Sequence, residues 1–290
     1  MTRRRTIASP ARVSGISLFR GCDSTVSMEP AEAGDGVRFE YGGHAARAEI
    51  QCLSLDAVHP AFAAMPARST NLRLGEGAVV FTVEHLLAVA AALGVTDLVV
   101  RLDCAELPIG DGSGLLFLEA FDRAGLMELE TDVRGFTLRD ALRIGKPDGV
   151  RIEIEPAEKV LFEYHLDYGP GSLIPAQSAR WDGSADNFRR DVAPARTYCL
   201  KHEAELMRSL GLFGRLTPRD MLVIGESGPI DNALRFDNEP ARHKLLDLIG
   251  DLALIGRPFP LMTVRAYGSG HALNHEAARA LAALLDGAMS

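Results

Sequence analysis

The sequence predicts an α+β protein built from two similar domains, residues 1–131 and 132–290. Three observations point there. The chain has 290 residues, 47% of them hydrophobic, enough to fill more than one core at roughly 100–200 residues per domain. Period-2 strand patterns and helical apolar faces both occur in each half. The two halves also share an order: a helix, a glycine break, an apolar strand, a Gly-Ser-Gly turn (Gly112-Ser-Gly, Gly268-Ser-Gly) and a further helix. That repetition favours two α+β layers packed face to face.

The first forty residues read as short strands and turns, with residues 25–29 and 37–41 alternating apolar and polar positions. The first strong helix spans 82–93, with Thr82 as N-cap, a wide apolar face (Val83, Leu86, Leu87, Val89, Ala90) and Gly94 as its stop. Residues 97–102 read as a buried strand, followed by the turn Leu107-Pro-Ile-Gly-Asp-Gly-Ser-Gly and a helix over 115–124. The polar stretch 128–135 marks the domain boundary. Strand-like segments follow near 136–144, 150–154 and 160–168, then a Gly- and Pro-rich loop over 169–186 that holds the one tryptophan, Trp181. A helix at 201–211, a strand at 221–224, a long helix from 238 to 255 and a strand at 261–267 come next. Asn274 is expected to cap the last helix.

Composition excludes several classes. No apolar run approaches the ~20 residues of a membrane span, and the basic start, Met1-Thr-Arg-Arg-Arg, leads into no signal-peptide core. The four cysteines (Cys22, Cys52, Cys104, Cys199) stand alone, without a CxxC pair, which predicts a reducing cytoplasm rather than a disulfide scaffold. A net charge of −8 argues against a broad nucleic-acid-binding surface. A monomer is favoured.

Chemistry concentrates in three places. Glu84-His85 open the first helix; each alone also reads as an ordinary core or first-turn group. His243, Asp247 and Asp251 are spaced i, i+4, i+8 and so share one face of the long helix. That stripe is either a solvated face or, because the helix is otherwise rich in leucine and isoleucine, a buried one that wants an ion or polar partner. With His85, two of these residues make a His2Asp set of the kind that holds hydrolytic zinc, and Glu84 beside it can accept a proton from water. His271, in Gly268-Ser-Gly-His, is either a capping-loop histidine or a proton donor with Asp251 holding its ring.

Six collinear motifs resemble one family. Thr82-Val-Glu-His-Leu-Leu, Glu106-Leu-Pro-Ile-Gly-Asp-Gly-Ser, Ala195-Arg-Thr-Tyr, Leu234-Arg-Phe-Asp-Asn-Glu, Arg242-His-Lys-Leu-Leu-Asp-Leu-Ile-Gly-Asp and Ser269-Gly-His-Ala-Leu-Asn follow the order seen in the UDP-3-O-acyl-N-acetylglucosamine deacetylases, the zinc amidases of lipid A synthesis. The resemblance implies a β-α-α-β sandwich with the active site at the domain interface. It implies His85, His243 and Asp247 as ligands of zinc, although iron suits them too. It also implies Glu84 as general base, His271 as general acid, Asp251 behind it, Lys244 near the substrate, and Thr197 at the oxyanion. Tyr198 would line the sugar site, Tyr168 would stack on uracil, and residues 201–224 would form the acyl passage. The implied partner is a small acylated sugar nucleotide.

Departures lie on the nucleotide side. Phe19 stands where the family has histidine, Gly268 where it has a diphosphate-facing lysine, and Gly169-Pro170 lacks a further histidine; the paired glycines of the passage read Gly214-Arg215. Losing such a lysine removes a contact worth about 1.5–3 kcal/mol. These departures keep open a divergent paralogue acting on another N-acetylated acyl-sugar, or a zinc-stabilised binding protein without turnover.

Overall fold

The computed structural model describes residues 3–63, 67–133 and 135–287. It is a mixed α+β structure with two five-stranded mixed sheets. The first has the order β2 (Ala11–Ile16), β3 (Asp23–Pro30), β8 (Leu98–Leu102), β4 (Val37–Tyr41), β5 (His44–Arg47). The second has the order β10 (Leu142–Gly145), β11 (Arg151–Pro156), β17 (Met262–Tyr267), β12 (Leu161–Leu166), β13 (Gln177–Trp181). In both, the third and fourth strands pair in parallel (β8 with β4, β17 with β12) and every other pair is antiparallel. The shared order of the two halves is therefore a shared topology.

Smaller elements connect these sheets. Strand β1 (Arg3–Ile7) pairs with β9 (Leu126–Asp132), β6 (Leu72–Leu74) with β7 (Ala78–Val80), and β14 (Tyr198–Leu200) lies beside β15 (Leu222–Gly225) and β16 (Gly228–Pro229). The helices are α1 (Glu84–Ala92), α2 (Leu115–Ala124), the single turn α3 (Ala185–Asn187), α4 (Lys201–Ser209), α5 (Glu239–Leu252) and α6 (His271–Gly287). Helices α1 and α2 flank β8 in the chain as α5 and α6 flank β17.

The strands bury alternate side chains: Ser24, Val26 and Met28 of β3, and Phe162, Tyr164 and Leu166 of β12. Each large apolar side chain so buried contributes about 1.5–3 kcal/mol. Helix α1 is apolar almost all round, and only Ala91 of its nine residues escapes full burial, as expected for a core helix. It packs on α5, and its sequence carries Glu84 and His85 inside with it. Gly250 permits the contact: a Cβ on that residue would sit 2.1 Å from the Glu84 carbonyl oxygen.

Four expectations are corrected. Thr82 is not the N-cap of α1; Val83 occupies that position, and Thr82, at φ +61°, sends its hydroxyl to Glu106 Oε1 instead (3.2 Å). The loop expected over 169–186 contains β13, which includes Trp181, because its polar positions face outward from the sheet edge. Asn274 lies inside α6, which starts at His271, and donates to Asp251 Oδ2 (2.8 Å) rather than capping. Cys22 and Cys104 do not stand alone: they form a disulfide, since β3 and β8 are antiparallel neighbours and these residues flank their paired ends. Their 82-residue separation hides this in the sequence. Cys52 and Cys199 are free. The polar boundary segment is largely strand, β9, with Arg134 outside the described residues.

Gly250→Ala tests the helix contact. A methyl group driven into the Glu84 main chain should cost at least about 1–3 kcal/mol, the usual range for overpacking. Denaturant unfolding should show that loss, whereas Ala253→Gly, one turn onward and half-buried, should cost less.

Candidate active site

Helix α1 delivers His85 and helix α5 delivers His243 and Asp247 to one buried point. His243 Nε2 lies 3.4 Å and His85 Nε2 3.6 Å from Asp247 Oδ1. Ligand atoms arranged tetrahedrally around zinc at about 2.0–2.1 Å stand about 3.3–3.4 Å apart, so these spacings suit a shared cation better than direct hydrogen bonds. The His243 tautomer agrees. Its Nδ1 donates to the Ala195 carbonyl (3.2 Å), which leaves the Nε2 lone pair facing His85 and Asp247. Burial, with His85 and Lys244 close by, pushes the His243 pKa down to about 3, so the ring is neutral and able to ligate. Asp247 stays ionised against its burial because the Lys244 ammonium adjoins it, with Nζ 2.9 Å from Oδ2.

A second buried cluster, Asp251, His271 and His275, has a different character. Its facing atoms already have protein partners. Asp251 Oδ2 accepts from His271 Nδ1 (2.9 Å) and Asn274 Nδ2 (2.8 Å), and Oδ1 accepts from the Thr70 hydroxyl, which also meets His275 Nε2 (2.8 Å). The facing carboxylate and ring atoms of this cluster are thus taken up by protein hydrogen bonds, and the first cluster is the better cation site.

Glu84 and His271 flank that site with opposed electrostatics. Burial drives the Glu84 pKa up to about 7 despite the nearby His271 and His85. Burial alone would lower that of His271, but the Asp251 carboxylate overrides it and lifts the value to about 9. His271 is the first residue of α6, placed by the turn after β17, and its Nε2 reaches towards Asp247 (3.9 Å).

The segment 195–198 supplies the opposite wall. Arg196 is buried against a fully buried Glu239 at the start of α5; Oε1 of Glu239 accepts from the Arg196 amide (3.0 Å) and Nε (2.8 Å), and Oε2 from Nη2 (3.1 Å) and the Arg235 amide (2.6 Å). This fixes the Ala195 carbonyl against His243 and sets up the next residue. The Thr197 amide donates to the Gly112 carbonyl (2.7 Å). Gly112 has φ +86°, and a Cβ there would lie 2.9 Å from Thr197 Cγ2. The Gly-Asp-Gly-Ser turn is a seat for Thr197, secured by Asp111, which accepts from Ser113 and pairs with Arg235 at 2.6 Å.

A cavity of about 290 Å³ joins these groups. Glu84, His85, His243, Lys244, Asp247, His271, Thr197 and Tyr198 line one end, and Leu18, Phe19, Ile109, Met207, Phe213 and Met221 an apolar arm. Phe19 is buried against Phe62 and Phe213, with ring centroids 6.0 and 5.9 Å away, and its amide donates to buried Glu106 (3.0 Å). Asp251 lies behind the lining. Tyr168 is 53% exposed and outside the cavity wall, but its hydroxyl meets that of Tyr198 at 2.7 Å. Gly268 has φ +62°, and its amide donates to His165 O (2.8 Å). Arg215 turns away to Gly21 O and Asp23. Sequence reasoning missed Thr70, His275 and the Arg68–Glu203 pair (3.7 Å) at the rim. His275 was findable, four residues after His271 on the same face of α6; Thr70 carried no signal.

Two histidines and an aspartate converging in the core, beside a carboxylate and a carboxylate-backed histidine, make the donor set of a metal-dependent hydrolase. The sequence comparisons specify which kind. Residues 4–283 match the family model of LpxC, UDP-3-O-acyl N-acetylglycosamine deacetylase, and the chain belongs to that family. It is 35% identical over 272 residues to the UDP-3-O-acyl-N-acetylglucosamine deacetylase of Chlamydia pneumoniae, covering 93% of this chain and 94% of that one. To the enzyme of the same name from Chlamydia trachomatis serovar D it is 36% identical over 274 residues, covering 93% and 92%.

Glu239→Gln tests the wall. One lost carboxylate oxygen leaves a buried guanidinium partly unpaired, which should destabilise the fold by about 3 kcal/mol. Thermal unfolding measures it, and Glu205→Gln on exposed α4 should change little.

Proposed function

We propose that this protein is a zinc-dependent deacetylase that removes acetate from UDP-3-O-acyl-N-acetylglucosamine in lipid A biosynthesis. The observation that carries the reading is the buried His85–His243–Asp247 set with Glu84 and His271 in one cavity, in a chain matched to the family over nearly its whole length. Zinc held by those three residues supplies Lewis acidity and brings the pKa of a water towards ~7. The chain's own groups do the rest. Glu84 takes the proton of the attacking water, and the Thr197 hydroxyl and Lys244 ammonium stabilise the oxygen on which negative charge develops. His271, aimed by Asp251, protonates the leaving nitrogen as the C–N bond breaks. A C–O bond has formed, and acetate and the free amine leave.

We assign the apolar arm to the acyl chain, with Phe19 in its wall, and the Tyr198–Tyr168 side to the sugar and uracil. The domains are read as residues 1–131 and 132–290, stacked as a β-α-α-β sandwich with the reaction between them. The pairing of β9 back onto β1 supports that boundary, and the packing of α1 on α5 supports the stacking. Among the described residues no helix is long and apolar enough to cross a membrane. A nucleotide-sugar substrate favours action in the cytoplasm. Gly268 favours a second reading, a deacetylase of another N-acetylated acyl-sugar, because no side chain at that position contacts a diphosphate.

Zinc-loaded protein should release acetate from UDP-3-O-acyl-N-acetylglucosamine, with Glu84→Ala at least about 100-fold slower, and His243→Ala should hold well below one zinc per chain by metal analysis. Release from a non-nucleotide acyl-sugar alone would select the second reading. The rate should also be bell-shaped in pH. Glu84 must be ionised, so activity rises through its pKa; His271 must be protonated, so activity falls through its own. A bound dication disfavours the proton on both. The two limbs should therefore lie at or below about 7 and about 9, and Glu84→Gln should abolish the acid limb.

A further inference from the structure

Behind the reacting groups lies a residue that the reaction scheme does not use. Thr70 is fully buried just before β6. Its amide donates to Glu84 Oε2 (3.0 Å), its carbonyl accepts from the Val83 amide at the start of α1 (3.0 Å), and its hydroxyl reaches Asp251 Oδ1. One residue thus touches the carboxylate on the base side through its main chain and the one on the acid side through its side chain. His275 Nε2 meets the same hydroxyl at 2.8 Å and lies 3.8 Å from Asp251 Oδ1. On its other side His275 lines a second cavity of about 400 Å³, with Asn71, Glu276 and Arg279.

Counting protons fixes the direction of this chain. A hydroxyl has one proton to give, and an ionised carboxylate only accepts. The Thr70 proton therefore goes to Asp251, and Thr70 can only accept from His275. His275 must be the Nε2–H tautomer. Asp251 then receives donors from Thr70, Asn274 and His271, which leaves it no freedom to rotate, and the His271 ring follows. Buried polar groups always need partners, so satisfaction alone would be structural. These partners, however, fix the two side chains whose aim decides proton transfer, a matter of fractions of an ångström.

We propose that Thr70 and His275 are positioning residues for this deacetylation: His275, as its Nε2–H tautomer, orients the Thr70 hydroxyl, which holds Asp251 and so aims His271, while the Thr70 amide keeps Glu84 in register with it. The role rests on the deacetylase reading; the hydrogen-bonded chain does not.

The test uses the full-length zinc-loaded protein with Thr70→Val, Thr70→Ser, His275→Leu and His275→Gln. Acetate release gives kcat and KM, and nitrogen-15 histidine NMR gives the His275 tautomer. Thr70→Val keeps the amide and loses the hydroxyl. It should lower kcat about 10–100-fold, as loss of an orienting partner does, with KM within about twofold, and Thr70→Ser should recover most of the loss. His275→Leu should lower kcat by a smaller factor, and His275→Gln, which restores an N–H near the Nε2 position, should recover part of it. Wild-type NMR should place the proton on Nε2, and Thr70→Val should release that preference. Equal kcat for Thr70→Val and Thr70→Ser, or a wild-type Nδ1–H tautomer, overturns the proposal. Wild-type protein that releases no acetate overturns the reading of the reaction instead, and the wild-type control separates that failure from failure of the variants.

Discussion

Where α1 meets α5, the backbone of one helix lies against a glycine of the other, and the site is a consequence of that approach. Gly250 leaves room for the Glu84 carbonyl; any side chain there would hold the helices apart. Because the helices touch at this point, His85 on one faces the other, its Nε2 3.6 Å from Asp247 Oδ1 and its ring centroid 5.1 Å from that of His243. Helix propensity contributes little, since glycine inside a helix costs about 1 kcal/mol relative to alanine. Burial of the apolar flanks of both helices offsets that cost. An i, i+4 pair on one helix supplies only two donors of the candidate cation site; the third comes from a second helix at the close distance that Gly250 allows.

The motifs that signal the family divide into groups that touch the reacting centre and groups that hold them. Arg196 and Glu239 come from different motifs and pair with each other in the core. Asp111 and Arg235 also come from different motifs and pair at 2.6 Å. Glu106 receives the Phe19 and Arg20 amides and the Thr82 hydroxyl, which ties the first motif's threonine to the segment bearing Phe19. A buried pair such as Arg196–Glu239 contributes modestly to net stability but is costly to break, whereas the half-exposed Asp111–Arg235 pair contributes less. Their effect here is to locate loops, which is what segment 195–198 needs in order to present a carbonyl to His243 and a hydroxyl to the cavity.

Most of the architecture was legible in the sequence because strand and helix periods are local. The shared order of the two halves, the helices α1, α2, α4 and α5, and the strands expected at 37–41 and 97–102 were readable from the local pattern, the second strand being one residue shorter, Leu98–Leu102. Misses came where a distant partner overrode a local signal. Thr82 resembles an N-cap, but Glu106 claims its hydroxyl; Asn274 resembles one too, but Asp251 claims its amide. Strand β13 is hidden among glycines and prolines, and its pairing with β12 makes it a strand. The polar stripe of His243, Asp247 and Asp251 on α5 was visible by its period, and its burial was not. Thr70 was not visible, because nothing in Arg68-Ser-Thr announces a residue that links the Glu84 and Asp251 carboxylates.

The electrostatics of the site follow from where its acids sit relative to its cations. Glu84, Asp247 and Asp251 are all buried, yet their ionisation diverges. Asp247 lies against the Lys244 ammonium, and Asp251 against His271, so both are held below the ordinary carboxylate range despite desolvation. Glu84 has an amide from Thr70 but no cation in contact, and desolvation wins. Three chemically similar carboxyls thus acquire different proton affinities from their neighbours alone, the divergence on which the proposed roles rest. The whole-chain charge of −8 is uninformative about this, because at separations of 3–4 Å in a dry site the pairwise terms exceed anything the distant surface contributes. What that surplus does bear on is the proposed substrate, an anion that must find local cations where Gly268 offers no side chain. Phe19 adds apolar wall to the other arm of the cavity, packed against Phe62 and Phe213.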